Sequence, residues 1–194
     1  GRFFSIDNKF FTFMIKVAAL CILNIICLVC CIPIVTAGAS ITAMYYVTLK
    51  MVRNEEAYIV RSFFKSFKDN FKQATIINLI MIAVGAVLYL DLNVAKNMPG
   101  SAGQIFHVIF MAFVIIYYVL FLYVYPILAR FYNTIRNTIK NALFMAIRHL
   151  PYTVVMVLIG LCPLLLLFID SYQIQSTLFV LFLVMGFGVI AYCN

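Results

Sequence analysis

One long apolar run near the start constrains this chain more than any other feature. Over residues 10–35 it carries a single charged side chain, Lys16, and a single carboxamide, Asn24. A helix needs about 20 mainly apolar residues to cross the hydrocarbon of a bilayer, and this run exceeds that. A secretory signal is the rival reading, because Arg2 and Lys9 precede the run and Ala37-Gly38-Ala39 follows it like a cleavage site. The apolar heart of a signal is only about 7–15 residues long, so a retained first span is expected. The rest of the sequence agrees. Of 194 residues, 66% are hydrophobic and 10% charged, against about 45–50% and 25% in ordinary globular chains. A soluble fold of this length cannot hide so much apolar surface, whereas a bilayer covers it.

The expected fold is all-α, a polytopic transmembrane helix bundle of about six spans making one domain over residues 1–194. Residues 36–52 are a shorter second segment rich in small residues (Ala37, Gly38, Ala39, Ser40, Ala43). Such residues let helix backbones approach closely in lipid, so tight packing on the first span is expected, with a re-entrant hairpin as the alternative. In residues 54–72, Asn54 suits a helix cap and Glu55 and Glu56 suit a first turn. Val60, Phe63, Phe64, Phe67 and Phe71 recur there at helical spacing, and Arg61, Lys65, Lys68 and Lys72 do so on another face. That pattern describes an amphipathic helix at the membrane interface. Residues 74–90 and 105–128 read as the third and fourth spans, separated by the turn cluster Asn97-Met98-Pro99-Gly100-Ser101. Residues 129–148 form a second basic amphipathic stretch with Arg130, Arg136, Lys140 and Arg148. Residues 151–169 and 177–192 read as the fifth and sixth spans.

Charge sets the orientation. The net charge is +8, and cytoplasmic loops carry the excess of Lys and Arg. Six spans with the N- and C-termini inside put every one of the 14 Lys and Arg residues on the cytoplasmic side except Lys96. The basic residues lie between apolar stretches, which points to the anionic lipid of the inner leaflet and not to nucleic acid. A shift of 75 positions aligns Arg61 with Arg136, Lys65 with Lys140 and Gly85 with Gly160. That suggests a weak parallel repeat of 36–92 on 105–169, weighed against a chance match of three pairs. The six cysteines (Cys21, Cys27, Cys30, Cys31, Cys162, Cys193) lack both a secreted disulfide framework and zinc-ligand spacing, so they read as packing residues. No cofactor or metal is called for.

Asn24, residues 33–40, residues 42–43 and residues 63–75 carry motifs that resemble the YesL family of small bacterial membrane proteins. Asn24 with Pro33-Ile34-Val35-Thr36-Ala37-Gly38-Ala39-Ser40 and Thr42-Ala43 looks like its signature turn. Phe63-Phe64-Lys65-Ser66-Phe67-Lys68-Asp69-Asn70-Phe71-Lys72-Gln73-Ala74-Thr75 is similar to a second motif, and Phe3-Phe4-Ser5-Ile6-Asp7 and Ile139-Lys140-Asn141-Ala142 fit as well. The family is a domain of unknown function, often encoded beside carbohydrate-uptake ABC transporters. The resemblance thus implies a membrane protein of carbohydrate physiology and carries over no catalytic residues.

Two sets of side chains are candidate sites. Asn24, Thr36, Ser40, Thr42 and Asn78 lie in or near spans, where such residues line a substrate path or bond neighbouring helices. Arg61, Lys65, Lys68, Lys72, Arg136, Lys140 and Arg148 offer a docking face for anionic lipid or for a cytoplasmic partner, ABC transporter subunits among them. Asp91, His107 and Asp170 suit either a proton relay at the outer face or solvated helix ends. No catalytic motif appears. The expectation is a multi-pass cell-membrane protein, non-enzymatic, acting as an accessory to carbohydrate uptake. The alternative is a small-molecule transporter or channel in its own right, as a homo-oligomer.

Overall fold

The computed structural model describes residues 3–55, 58–131, 133–163 and 172–193. The chain runs through α1 (Phe3–Cys31), α2 (Ala37–Val52), α3 (Ile59–Asn97), α4 (Ser101–Arg130), α5 (Ile135–Arg148), α6 (Leu150–Leu161), α7 (Tyr172–Leu181) and α8 (Phe187–Cys193). A 3-10 turn (Ile34–Thr36) leads into α2, and a π-helical turn (Phe182–Gly186) joins α7 to α8. There is no strand among the described residues. Lys9–Cys31, Ile59–Asn97 and Ser101–Arg130 are long and apolar enough to cross a membrane, and α5 with α6 makes a fourth if that bent pair is one broken span. Among the described residues, three helices, or four with the bent pair, thus have the length and composition to cross, where the sequence led to an expectation of six. The expected fifth span leaves the described residues after Pro163, and Asp170 lies outside them.

The core is built around α2, which touches α1, α3, α4 and α8. Gly38, Ala39, Ser40, Thr42, Ala43, Tyr45, Val47 and Met51 are all buried on it. Its closest partner is α3, not the first span as expected. Along α3 a single stripe faces inward: Phe63, Ser66, Asn70, Ala74, Ile77 and Met81, spaced by three and four. The middle of that stripe is small or polar, so the two backbones meet. A Cβ placed on Gly38 would lie 2.6 Å from the Ala74 carbonyl oxygen. The outer halves of α3 and α4 carry mostly exposed apolar side chains, such as Val87, Leu90, Val108 and Ile115. In lipid this surface needs no protein partner.

Three boundaries differ from the sequence expectation. The basic helix and the third span are one continuous helix, α3, whose 39 residues reach about 58 Å at 1.5 Å per residue. It is nearly twice the thickness of the hydrocarbon, so its basic N-terminal turns project from the apolar zone. Phe63 is fully buried against the core and Phe67 packs on both halves of it, while Val60, Phe64 and Phe71 stay exposed, so the apolar face is shared between protein and surroundings. Asn54 does not cap α3. It ends α2 with φ 54°, while its N–H bonds the Met51 carbonyl (3.2 Å) and the Glu55 N–H bonds the Lys50 carbonyl (3.0 Å). This is a Schellman cap with Asn in the left-handed position. Finally, residues 129–148 are not one helix. α4 runs on to Arg130, and α5 starts afresh with Thr134 as its N-cap, accepting from the Asn137 N–H at 3.4 Å.

α5 and α6 meet at 104°. Pro151 sits in the first turn of α6, where its missing N–H is tolerated. Thr153 stabilises the corner: its hydroxyl donates to the Ala146 carbonyl (2.8 Å), lies 3.1 Å from the His149 carbonyl, and meets the Tyr123 hydroxyl at 2.8 Å. One side chain thus satisfies the Ala146 carbonyl near the end of α5 and ties the corner to α4.

Candidate functional site

The turn between α1 and α2 is held by side chains bonding backbone. The Thr36 hydroxyl donates to the Cys30 carbonyl at 2.7 Å, with the Pro33 carbonyl 2.9 Å away. Ser40 donates to the Cys27 carbonyl at 2.9 Å, joining α2 to α1. Asn78, on α3, donates to the Ile34 carbonyl at 2.8 Å and accepts from the Tyr125 hydroxyl at 3.0 Å, so α4 is tied to the same turn. Thr42 bonds only the Gly38 carbonyl of its own helix, at 2.8 Å.

Asn24 acts elsewhere. Fully buried on α1, its amide nitrogen donates to the Leu183 carbonyl at 2.5 Å, and its oxygen accepts the Gly188 N–H at 2.9 Å. Residues five apart pair in a π-helical turn, so the side chain of Asn24 spans the two backbone groups that the turn opens. The structure therefore brings Thr36 and Asn78 to one turn, sets Ser40 on the opposite side of α2 against α1, and sends Asn24 to the last helix.

The basic residues gather at one end of the bundle. Arg61, Lys65, Lys68 and Lys72 on α3 and Arg136, Lys140 and Arg148 on α5 are all exposed. The two groups are linked where Gln73 of α3 donates to the Asn133 carbonyl just before α5. On α5 the small residues Thr138, Ala142 and Ala146 are buried. Leu143, Phe144 and Ile147 stay exposed, with the Lys140 ammonium 5.8 Å from the Phe144 ring centre. Like the basic turns of α3, where Val60, Phe64 and Phe71 are exposed, α5 has the composition of an interfacial helix, with cations beside exposed apolar side chains.

A sequence-family profile described as "Protein of unknown function, DUF624" matches residues 17–92. The chain is also 24% identical over 150 residues to the "Uncharacterized protein YesL" of Bacillus subtilis (strain 168), an alignment covering 77% of this chain and 70% of that protein. Both matches make the chain similar to the YesL family. No solved structure matches it significantly. The segment that fits the profile runs from within α1 to the outer part of α3. It contains the turn, the close α2–α3 contact and Asn24, Thr36, Ser40, Thr42 and Asn78.

Two cavities have contrasting chemistry. Between α2, α4, α6 and the last helix lies an apolar space of about 390 Å³ lined by Met44, Tyr45, Tyr118, Phe121, Tyr125 and Phe182, among others. At the basic end of the bundle a polar cleft of about 160 Å³ is lined by Tyr46, Lys65, Ser66, Asp69, Asn70 and Arg130 beside apolar wall residues. Of these, sequence reasoning had singled out Lys65 as a site residue and Arg130 only as part of a basic stretch. Ser66 and Asn70 fall on the inward stripe of α3, a periodicity masked by the more conspicuous phenylalanines. Tyr123, Tyr125 and Thr153 were also missed, since nothing local marks which hydroxyl will meet which helix. Asp91 lines a small space with Phe106 and Phe110. His107 is half-buried, and its Nδ1 has no partner among the described residues. Cys27 is buried 4.0 Å from Cys31 (Sγ to Sγ), and no metal-ligating group of three or more side chains forms among the described residues.

Proposed function

We propose that this YesL-like chain is a six-span protein of the cell membrane with both ends in the cytoplasm. In this reading it is a non-enzymatic accessory to carbohydrate uptake, docking a cytoplasmic partner through its basic end. The observation that carries the proposal is the gathering of Arg61, Lys65, Lys68, Lys72, Arg136, Lys140 and Arg148 at one end of the bundle. All are exposed and none is ion-paired among the described residues. A cluster of unneutralised cations on rigid helices attracts acidic surfaces, whether of a protein or of the inner leaflet. Support also comes from the interior: Asn24, Thr36, Ser40, Thr42 and Asn78 all bond backbone, as packing residues do. The carbohydrate link rests on the family resemblance. Affinity purification in mild detergent, read by mass spectrometry, is expected to recover ABC permease or ATPase subunits, and charge reversal at Arg61, Lys68, Arg136 and Lys140 to lose them. A deletion that leaves sugar uptake and sensing unchanged would sink the proposal.

A small-molecule transporter or channel, working as a homo-oligomer, is the second reading. The apolar cavity favours it, and its aromatic lining suits an apolar solute better than a sugar. Solute flux into reconstituted liposomes that disappears on filling the cavity with Gly160→Leu would favour this reading over the first.

A further inference from the structure

The polar cleft at the basic end contains more chemistry than a docking surface needs. Its inner wall includes Ser66 and Asn70, both buried. The Asn70 amide donates to the Ser66 carbonyl at 3.1 Å and to the Ser66 hydroxyl at 3.2 Å. Because Ser66 Oγ accepts there, its own proton is left to donate. Lys65, Asp69 and Arg130 are exposed around this floor. Lys65 and Asp69 stand four apart on α3, a spacing at which opposite charges pair, yet neither they nor Arg130 form an ion pair among the described residues. Arg130 lies against the Phe131 ring, 5.2 Å from its centre, which restrains the guanidinium. Three charges thus border one small space without neutralising each other.

We infer that this cleft binds a phosphate ester carrying a neighbouring hydroxyl, the chemistry shared by a phosphoglycerol lipid headgroup and a free polyol phosphate. The Arg130 fork and the Lys65 ammonium supply the two-cation setting that a phosphate favours over a single carboxylate. Ser66 adds a neutral donor. Asp69 would repel a bare anion, but it accepts a hydroxyl from the polyol, and this distinguishes the site from a diffuse basic patch. The cleft's volume of about 160 Å³ corresponds to about five waters, room for a phosphate and a short polyol. Its apolar wall of Leu128, Ala129 and Phe131 ends the long apolar helix α4, the level at which lipid phosphates lie. A lipid headgroup can therefore reach the cleft from the leaflet and a soluble ester from the cytoplasm. The inference shares with the accessory reading only the placement of the basic end, and it stands or falls separately from partner recovery.

The test uses the full chain in nanodiscs and reads the thermal unfolding midpoint. In one arm, glycerol 3-phosphate is titrated into discs of neutral phosphatidylcholine. In the other, phosphatidylglycerol replaces part of that lipid. A response in either arm identifies the source. Lys65→Gln with Arg130→Gln is expected to weaken that response by about tenfold or more, since bonds to charged groups are the strong ones. In the glycerol 3-phosphate arm, Arg136→Gln with Lys140→Gln removes the same charge from α5 and is expected to leave the response within about twofold, because those residues do not line the cleft. Asp69→Asn should weaken glycerol 3-phosphate while leaving methyl phosphate, which lacks the hydroxyls, unchanged or tighter. Lys65, Asp69 and Arg130 are exposed, so folding is not at stake. No response in either arm, equal losses of glycerol 3-phosphate from the two double variants, or a phosphatidylglycerol response that Lys65→Gln with Arg130→Gln leaves intact, would overturn the inference.

Discussion

Gly38→Ala isolates the contact on which the bundle is built. The added Cβ would stand 2.6 Å from the Ala74 carbonyl oxygen and 2.6 Å from Asn78 Cβ. Unstrained carbon contacts lie at about 3.5–4.0 Å, so both are short by roughly an ångström. One clash is with backbone and cannot swing away, so α2 and α3 must part. Overpacking of this kind costs about 1–3 kcal/mol. Separation also stretches the Asn78 bonds to Ile34 and Tyr125, each contributing about 0.5–1.5 kcal/mol net. Against this, alanine gains about 1 kcal/mol of helix propensity over glycine. The balance is a destabilisation of about 1–3 kcal/mol. Gly85→Ala is the internal control. Its Cβ would meet the Tyr117 hydroxyl at 2.9 Å, the far end of a side chain that can turn, so the helix-propensity gain should offset most of its cost. Reversible unfolding of the purified protein in mixed micelles measures both. If Gly38→Ala proves as stable as the parent, or more stable than Gly85→Ala, the account of α2–α3 packing is wrong.

Three other outcomes are expected. Asn24→Ala strands the Leu183 carbonyl and the Gly188 N–H away from water and should destabilise by about 1–2 kcal/mol; Thr42→Val, which loses a bond within one helix, should change stability by less than about 0.5 kcal/mol in the same assay. Thr153→Val and Tyr123→Phe each remove part of the α5–α6 corner, and a double-mutant cycle should return a coupling of about 0.5 kcal/mol or more; strict additivity would deny the shared bond. In a cysteine-free background, Lys96→Cys should react with an impermeant maleimide on intact cells and Lys65→Cys only after permeabilisation, and the reverse pattern would invert the proposed topology.

Much of the architecture was legible in sequence because transfer to lipid is a local property. A run of apolar side chains favours the hydrocarbon whatever its neighbours do, and α1, α3 and α4 follow from composition alone. The exposed basic residues followed from charge in the same way. The break at Pro33 and the loop at Gly100, with φ 81°, followed from turn chemistry. The continuity of α3 did not. A helix satisfies its backbone internally in water and in lipid alike, so a change of solvent at Gln73 leaves no mark on its period. Asn54 was misread because one amide serves either helix end, and the left-handed backbone of a C′ residue becomes visible only in three dimensions.

The sequence by itself determined that this is an all-helical chain with several membrane-length apolar helices, a basic end and a turn of small residues, as in the YesL family. Tertiary structure alone decided which surfaces meet. It chose α3 as the partner of Gly38, bent the chain at His149, sent Asn24 across 159 and 164 positions to Leu183 and Gly188, and placed Lys65, Asp69 and Arg130 around one cleft. The reason is physical. Hydrophobicity and charge act residue by residue through the solvent, whereas close approach and hydrogen bonding depend on shape and distance between segments remote in sequence.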